Sequence, residues 1–324
     1  MTNDAFHAQQ AEPSRTAVTL ADAEPVALRR TNAGDYCRGI QRARHNEFWW
    51  YFNGLVARRN YWKPFQDPAG RWWWFVKPWF AWPVDFFSAV SDSVAIRHRR
   101  FLLGWQYPVV EDVADSCVRL NVVPDLSGYD LDRIERKKRR HAIRRALREL
   151  RYEIVNSADP SVAEQACTIW NSHVQRTGWN RTMPVGAFVE SWIELAAIPG
   201  TTVVFARDPA QGGLPCAWLI TRGIDHTLFI DTIASHTDRL ALGPNDGLIF
   251  LALWSAAKMR MAHAHYGLQS SIETLEDFKR SLGFEPHPFP TKLRLRFPVE
   301  VALRLLRPRV FRRLRGDWPL RAGE

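Results

Sequence analysis

A chain of 324 residues with 46% hydrophobic and 24% charged side chains has the composition of a globular protein, long enough for one large or two modest domains, and is excluded from the disordered and fibrous classes. Its cysteines, Cys37, Cys117, Cys167 and Cys216, form no CxxC pair and no cluster with histidine at zinc spacing, so a disulfide scaffold and a structural zinc site are excluded and a reducing, cytoplasmic setting is expected. The formal net charge of +10 predicts attraction to a polyanion, whether nucleic acid, anionic lipid or a phosphorylated cofactor.

Residues 1–25 carry acidic side chains and lack the apolar core of a signal peptide, and read as a flexible lead. Nine of the fifteen tryptophans follow between Trp49 and Trp105, so the first part of the chain is built around aromatics. RWWWFVKPWFAW predicts strands broken by a turn at Lys77 and Pro78, VDFFSAVSDSVA a short helix, and SCVRLNVV at 116–123 a half-buried strand ending at Pro124. Such aromatics serve as a stacking platform for bases, as a membrane-interface belt, or as core. Adjacent tryptophans face opposite sides of a strand, which favours the core.

LDRIERKKRRHAIRRALRELR at 131–151 predicts a basic amphipathic helix. Arg133, Arg136, Lys137, Arg140, Arg144 and Arg148 fall along one stripe, and Ile143, Ala146, Leu147 and Leu150 form an apolar face. The stripe is either a solvated surface or a site for phosphates of a tRNA, of a nucleotide-linked substrate or of a membrane surface.

Next come the strand RYEIV, a helix from Pro160 and Ser161, and a helix over VGAFVESWIELAA. TTVVFARD, LPCAWLITRG and HTLFIDTIAS predict an antiparallel meander. A long helix over GPNDGLIFLALWSAAKMRMAH follows, then the strand AHYGLQSS, the helix ETLEDFKRSLG ending at Gly283, and the strand PTKLRLRF. The apolar run LIFLALWSAA is well short of the roughly 20 residues that span a bilayer, so no transmembrane segment is expected. The tail at 298–324 places Val301, Leu305, Leu306, Val310, Phe311 and Leu314 among arginines and is interrupted by Pro308. It reads either as a packed tail or as an interfacial membrane-docking segment.

The histidines form no ligand set at metal spacing: His263 and His265 share a strand face without further partners, and no metal is expected. There is no GxSxG, no Walker-type GK[ST] and no defensible Ser-His-Asp order, so the sequence carries no signature of a serine hydrolase or a P-loop nucleotide-binding protein.

Two stretches carry a family resemblance: KKRRHAIRRAL followed by a strand, and LEDFKRSLGF at 275–284. With the order of elements from about Arg151 to Phe297, they resemble the GNAT acyltransferases, specifically the branch related to the Fem peptidoglycan aminoacyltransferases. The resemblance implies an α/β fold with a mixed central sheet flanked by helices and two GNAT-like units. Residues 26–150 would be a degenerate first unit, and residues 151–297 the acyltransferase unit, with its site between the strands at 228–235 and 264–270.

The implied reaction moves an acyl group from acyl-CoA to an amine. Aminoacyl-tRNA is the alternative donor, and a non-catalytic RNA- or membrane-binding module is the rival from another class. In the family the strand before the long helix offers free N–H groups, here Asp231 to Ser235 with Ile233 and Ser235 among them, and Asp231 is also a candidate carboxylate. The pyrophosphate loop maps onto Arg239, Gly243, Asn245 and Gly247, with stretched spacing and with Asp246 set to repel a phosphate and cap the helix. Lys279 stands where many GNAT enzymes carry a proton-donating Tyr, and Glu273, Glu276 and Tyr266 are candidate bases or substrate ligands, Glu273 preferred. The implied location is cytoplasmic, extending to the inner face of the membrane.

Overall fold

The structure is a computed structural model, which describes residues 41–44, 65–67, 71–77, 79–83, 89–91, 102–178, 180–270 and 272–316. The expected N-terminal lead, nearly all of the expected helix in VDFFSAVSDSVA, and Trp49, Trp50 and Trp62 lie outside these residues.

Twelve strands among the described residues form one mixed sheet. They are β1 (Arg42–Ala43), β2 (Phe65–Gln66), β3 (Trp72–Lys77), β4 (Phe80–Pro83), β5 (Gly104–Pro108), β6 (Ser116–Val123), β7 (Arg151–Ile154), β8 (Thr201–Asp208), β9 (Leu214–Ile224), β10 (Thr227–Ser235), β11 (His263–Leu268) and β12 (Glu285–Leu295). Their order is β2-β3-β4-β5-β12-β6-β11-β10-β9-β8-β7, with β1 beside β9. Strands from both sides of residue 150 therefore share the sheet. The helices are α1 (Lys137–Glu149), α2 (Pro160–Thr177), α3 (Val185–Ala196), α4 (Pro244–Lys258), α5 (Glu273–Arg280), α6 (Phe297–Leu306) and α7 (Pro308–Arg315).

The central strands are apolar on both faces because helices cover both. In β8, Val204 and Ala206 join the core under α1 and α4, while Val203 and Phe205 join the core under α2 and α3; in β9, Ala217 and Leu219 face the first, Trp218 and Ile220 the second. LIFLALWSAA is the buried centre of α4, enclosed from Leu248 to Ala256, and no described helix is long and apolar enough to cross a membrane. The meander turns from β9 to β10 through Asp225 and His226, with Asp225 at φ 50°, a left-handed position that Asp tolerates in a two-residue hairpin. Trp73 is fully buried, stacks 6.2 Å from Phe65, and donates its indole N–H to Asp67 at 2.9 Å, so this aromatic is core.

The basic helix is shorter than expected. Residues 131–136 are not helical: the Asp130 carboxylate accepts from the amides of Asp132 and Arg133, an Asx turn that competes with helix, and Arg136 is the N-cap of α1. Arg133 and Arg136 thus precede the stripe they were expected to join. α5 likewise stops at Arg280, and Gly283, at φ 93°, turns the chain into β12.

α1 packs across the first turn of α4, where Tyr152 of β7 leaves room only for a glycine at Gly247. A Cβ there would lie 1.9 Å from the Tyr152 hydroxyl and 2.7 Å from its Cζ. That hydroxyl is buried without a hydrogen-bond partner. Gly247→Ala is expected to lower the stability measured by urea unfolding by about 2 kcal/mol. Tyr152→Phe should recover part of the loss in the double variant, and purely additive effects would refute the contact.

Candidate functional site

β10 and β11 pair in parallel only from Thr227↔His263 to Phe229↔His265. Beyond that point β10 remains paired to β9, with Asp231 bulged out between the Ile230↔Thr221 and Thr232↔Ile220 pairs. β11 bends away: its register with β6 shifts between His265 and Leu268, around Gly267 at φ 68°. Among the described residues, no strand then pairs with the β11-facing edge of β10 from Ile230 to Ser235. A bulge beside a strand separation is a place where backbone N–H groups become available to a ligand.

At the diverging end of β11 stands a buried polar cluster. Lys279, 4% exposed, points from α5 to the Leu268 carbonyl and to Glu276 Oε1, each at 3.2 Å, with its ammonium 5.0 Å from the centre of the Tyr266 ring. Glu276 Oε1 also accepts from the Ser270 amide at 2.9 Å and from Asn121 Nδ2 at 3.3 Å, and Asn121 donates to the Leu268 carbonyl at 3.1 Å. Glu276 and Lys279 are three apart on α5 and share its inner face. Asp277 faces outward and pairs with Arg136 and Arg280. Burial pulls the Lys279 pKa below its ordinary value, and the carboxylate of Glu276 opposes that shift.

Two polar atoms in this neighbourhood, Glu276 Oε2 and His265 Nε2, are buried with no partner. The His265 ring meets the edge of Phe229 at 5.3 Å, at the last paired position before the strands separate. Orphaned polar atoms are costly to bury, so Glu276 Oε2 and His265 Nε2 are candidates for contact with a polar ligand or a water.

The other expected residues have definite places. Asp231 accepts from Arg222 Nη2 at 3.2 Å, and Arg222 is itself buried in β9. Ile233 is packed against the core, and Ser235 is fully buried and accepts from Asn245 Nδ2 at 3.3 Å. Arg239 reaches Asp208 at 3.8 Å, and Glu273 is exposed in the first turn of α5, so Glu276 is the acid brought to Lys279.

The first turn of α4 is closed. Gly243, Pro244, Asp246 and Gly247 are buried, a Cβ on Gly243 would lie 3.7 Å from the Ala142 carbonyl of α1, and the Asp246 carboxylate is bonded to Arg139. The dipole end of the helix is thereby satisfied from within. Burial raises the Asp246 pKa, partly offset by Arg139. As arranged, this turn does not fit a CoA pyrophosphate: the anion seat holds a carboxylate and α1 roofs it.

Of the expected cationic stripe, Lys137 and Arg144 are exposed and Arg148 is exposed beside Glu149. Arg133 donates to the Asp125 and Ser127 carbonyls, and Arg140 to the Ile134 and Glu135 carbonyls. Sequence reasoning missed Arg139, which also lies 5.0 Å over the Phe278 ring and so joins α1 to both α4 and α5. It also missed Asn121, whose only signal was a polar side chain inside an apolar strand.

His265 supplies a pH test. Burial first, and the Lys279 charge second, lower its pKa from 6.5 to about 4, so folding favours the neutral ring. Its contribution to stability is complete above pH 6.5 and is lost as pH falls through about 4. The urea midpoint is expected to fall across that window, and less steeply in His265→Phe; equal slopes would contradict the assignment.

No family model matches the chain, and no curated protein matches it. Solved structures do. One is the C-terminal domain of a putative lysylphosphatidylglycerol synthetase from Agrobacterium fabrum, with TM-score 0.53, 13% identity, and coverage of 80% of this chain and 91% of that one. Another is FemX, with TM-score 0.51, 8% identity, and coverage of 79% and 93%. At such identities the likeness is one of fold: this chain has a GNAT-type α/β fold of the kind seen in Fem-like proteins, a mixed central sheet flanked by helices.

Proposed function

We propose that this chain is an acyltransferase that moves an acyl or aminoacyl group from an activated ester to an amine. Residues 151–297 would carry the reaction, residues 26–150 would form a companion unit that lends β6, and 1–25 and 298–324 would flank them. The observation that supports this reading is the unpaired edge of β10 where β10 and β11 part, together with the buried Lys279–Glu276 pair held at the diverging end of β11.

In this reading the acceptor amine attacks the donor carbonyl carbon, a C–N bond forms, the bond to the leaving oxygen breaks, and the proton the amine loses replaces the one that Lys279 gives to the leaving oxygen. The negative charge that develops on the carbonyl oxygen is met by N–H groups of Ile230 to Ser235 and by the Lys279 ammonium. Lys279, its pKa lowered by burial, is suited to pass a proton to the leaving oxygen, and Glu276 holds its ammonium in position. Asp231, tied to Arg222, would fix the bulge, and Tyr266 would hold the ammonium against its ring.

The donor we favour is an aminoacyl ester carried on a tRNA. The closed α4 turn weighs against CoA, and the exposed Lys137, Arg144 and Arg148 of α1 suit phosphates. An acyl-CoA donor would require α1 to leave the turn formed by Gly243, Asn245 and Gly247, with Arg239 released from Asp208. The name of the Agrobacterium relative, which speaks of a lysyl group and a phosphatidylglycerol, is compatible with aminoacyl transfer.

The test is transfer of labelled amino acid from a mixture of charged tRNAs to amine-bearing acceptors, alongside titration calorimetry with CoA and acyl-CoAs. Transfer from tRNA without CoA binding is expected; tight CoA binding would sink the donor assignment. Lys279→Met is expected to lower kcat on the order of a hundredfold. Because it also leaves the buried Glu276 without a counter-charge, Lys279→Met with Glu276→Gln should regain stability while remaining inactive. Activity regained with stability would show Lys279 to be structural.

A further inference from the structure

α6 and α7 form a helical pair whose ends are fixed to the sheet. At the start, the Arg296 amide and guanidinium donate to the Leu103 and Leu102 carbonyls at 2.9 and 2.6 Å. At the end, Gln106 Nε2 donates to the Leu314 carbonyl at 2.9 Å, and Arg315 donates to the Asp115 carbonyl at 3.2 and 3.3 Å. Pro308 opens α7 directly after α6, so the break expected at that residue separates two anchored helices.

The pair is inverted relative to an ordinary surface. On α6, Val299 and Leu303 are half-buried, while Phe297, Leu305 and Leu306 remain 79%, 75% and 76% exposed. Phe297, Val301 and Leu305 recur at intervals of four, so the outer face of α6 is an apolar ridge. Glu300 and Arg304, at its border, neutralise each other at 2.5 Å. α7 then turns Arg309, Arg312 and Arg313 outward, and among the described residues none of these arginines forms an ion pair.

We propose that the outer face of α6 and α7 docks on an anionic phospholipid bilayer, the α6 ridge entering the acyl boundary and the α7 arginines meeting the headgroup phosphates. Charge complementarity selects an anionic partner. The exposed ridge selects lipid over nucleic acid, since of Phe297, Val301, Leu305 and Leu306 only Phe297 offers a ring on which a base could stack, whereas all four suit an acyl boundary. Because the ends are hydrogen-bonded to the sheet, the face is presented ready-formed and the chain loses little conformational entropy on docking. The proposal stands apart from the transfer reaction and holds whether or not that reading survives.

The test is co-sedimentation of the full chain with vesicles of phosphatidylglycerol and phosphatidylcholine, against phosphatidylcholine alone. Retention on the anionic vesicles is expected, reduced but not abolished by added salt. Leu305→Asn with Leu306→Asn, and separately Arg309→Gln with Arg312→Gln and Arg313→Gln, should each weaken partitioning by about tenfold or more while thermal melts stay unchanged. Absence of vesicle binding at low salt would overturn the proposal. So would binding to which the leucine variant is indifferent, tRNA retention that depends on the three arginines while vesicle binding does not, or a parent dimer that the leucine variant makes monomeric with lipid binding intact.

Discussion

The insertion of β6 between β11 and β12 is the constraint on which the site depends. β6 pairs antiparallel with β11 through Val122 and Val123 and with β12 from Ser116 to Val122. By taking the far edge of β11 it lets that strand bend at Gly267 and leave β10, and it brings Asn121 against Glu276. A strand that precedes α1 in sequence thereby completes a polar cluster carried by α5. The edge of β10 opens because β11 is held elsewhere, so the geometry of the cleft is a property of the whole sheet.

The same sheet explains why a buried ammonium is tolerated. Isolated, the Lys279 charge would be expensive to bury. It is met by a carboxylate, a carbonyl and an aromatic face, and Glu276 is in turn held by an amide and by Asn121. These partners come from β6, β11, the segment after β11 and α5, so the cluster also ties those elements to one register. It leaves Glu276 Oε2 and His265 Nε2 without partners.

Much of this was legible in the sequence because the signals were local. The apolar pattern of TTVVFARD, LPCAWLITRG and HTLFIDTIAS gave the meander, and Pro160 with Ser161 gave the start of α2, where the structure adds a cap the reading did not name: the Asp159 carboxylate accepts from the Ser161 amide at 2.9 Å. LEDFKRSLGF pointed to Lys279. The length of α1 was misread because an Asx turn at Asp130 outcompetes helix formation over the six residues before Lys137, a matter of side-chain hydrogen bonding that charge periodicity does not report. The sequence also could not rank Glu276 over Glu273: both sit in the first turn of α5, and only the helix's orientation against Asn121 and Ser270 separates them. Arg139 was one arginine among many until α4 and α5 were both in place beside it.

Arg139 has a further consequence for how the chain responds to its surroundings. In a helix end that waits for a phosphate, the ligand supplies the missing counter-charge, and anion concentration becomes a term in folding stability through mass action. Here Asp246 and Arg139 close that circuit within the chain. The α4 terminus is complete without a ligand, so the stability of this helix end is set by residues of the chain itself and not by the concentration of an anion.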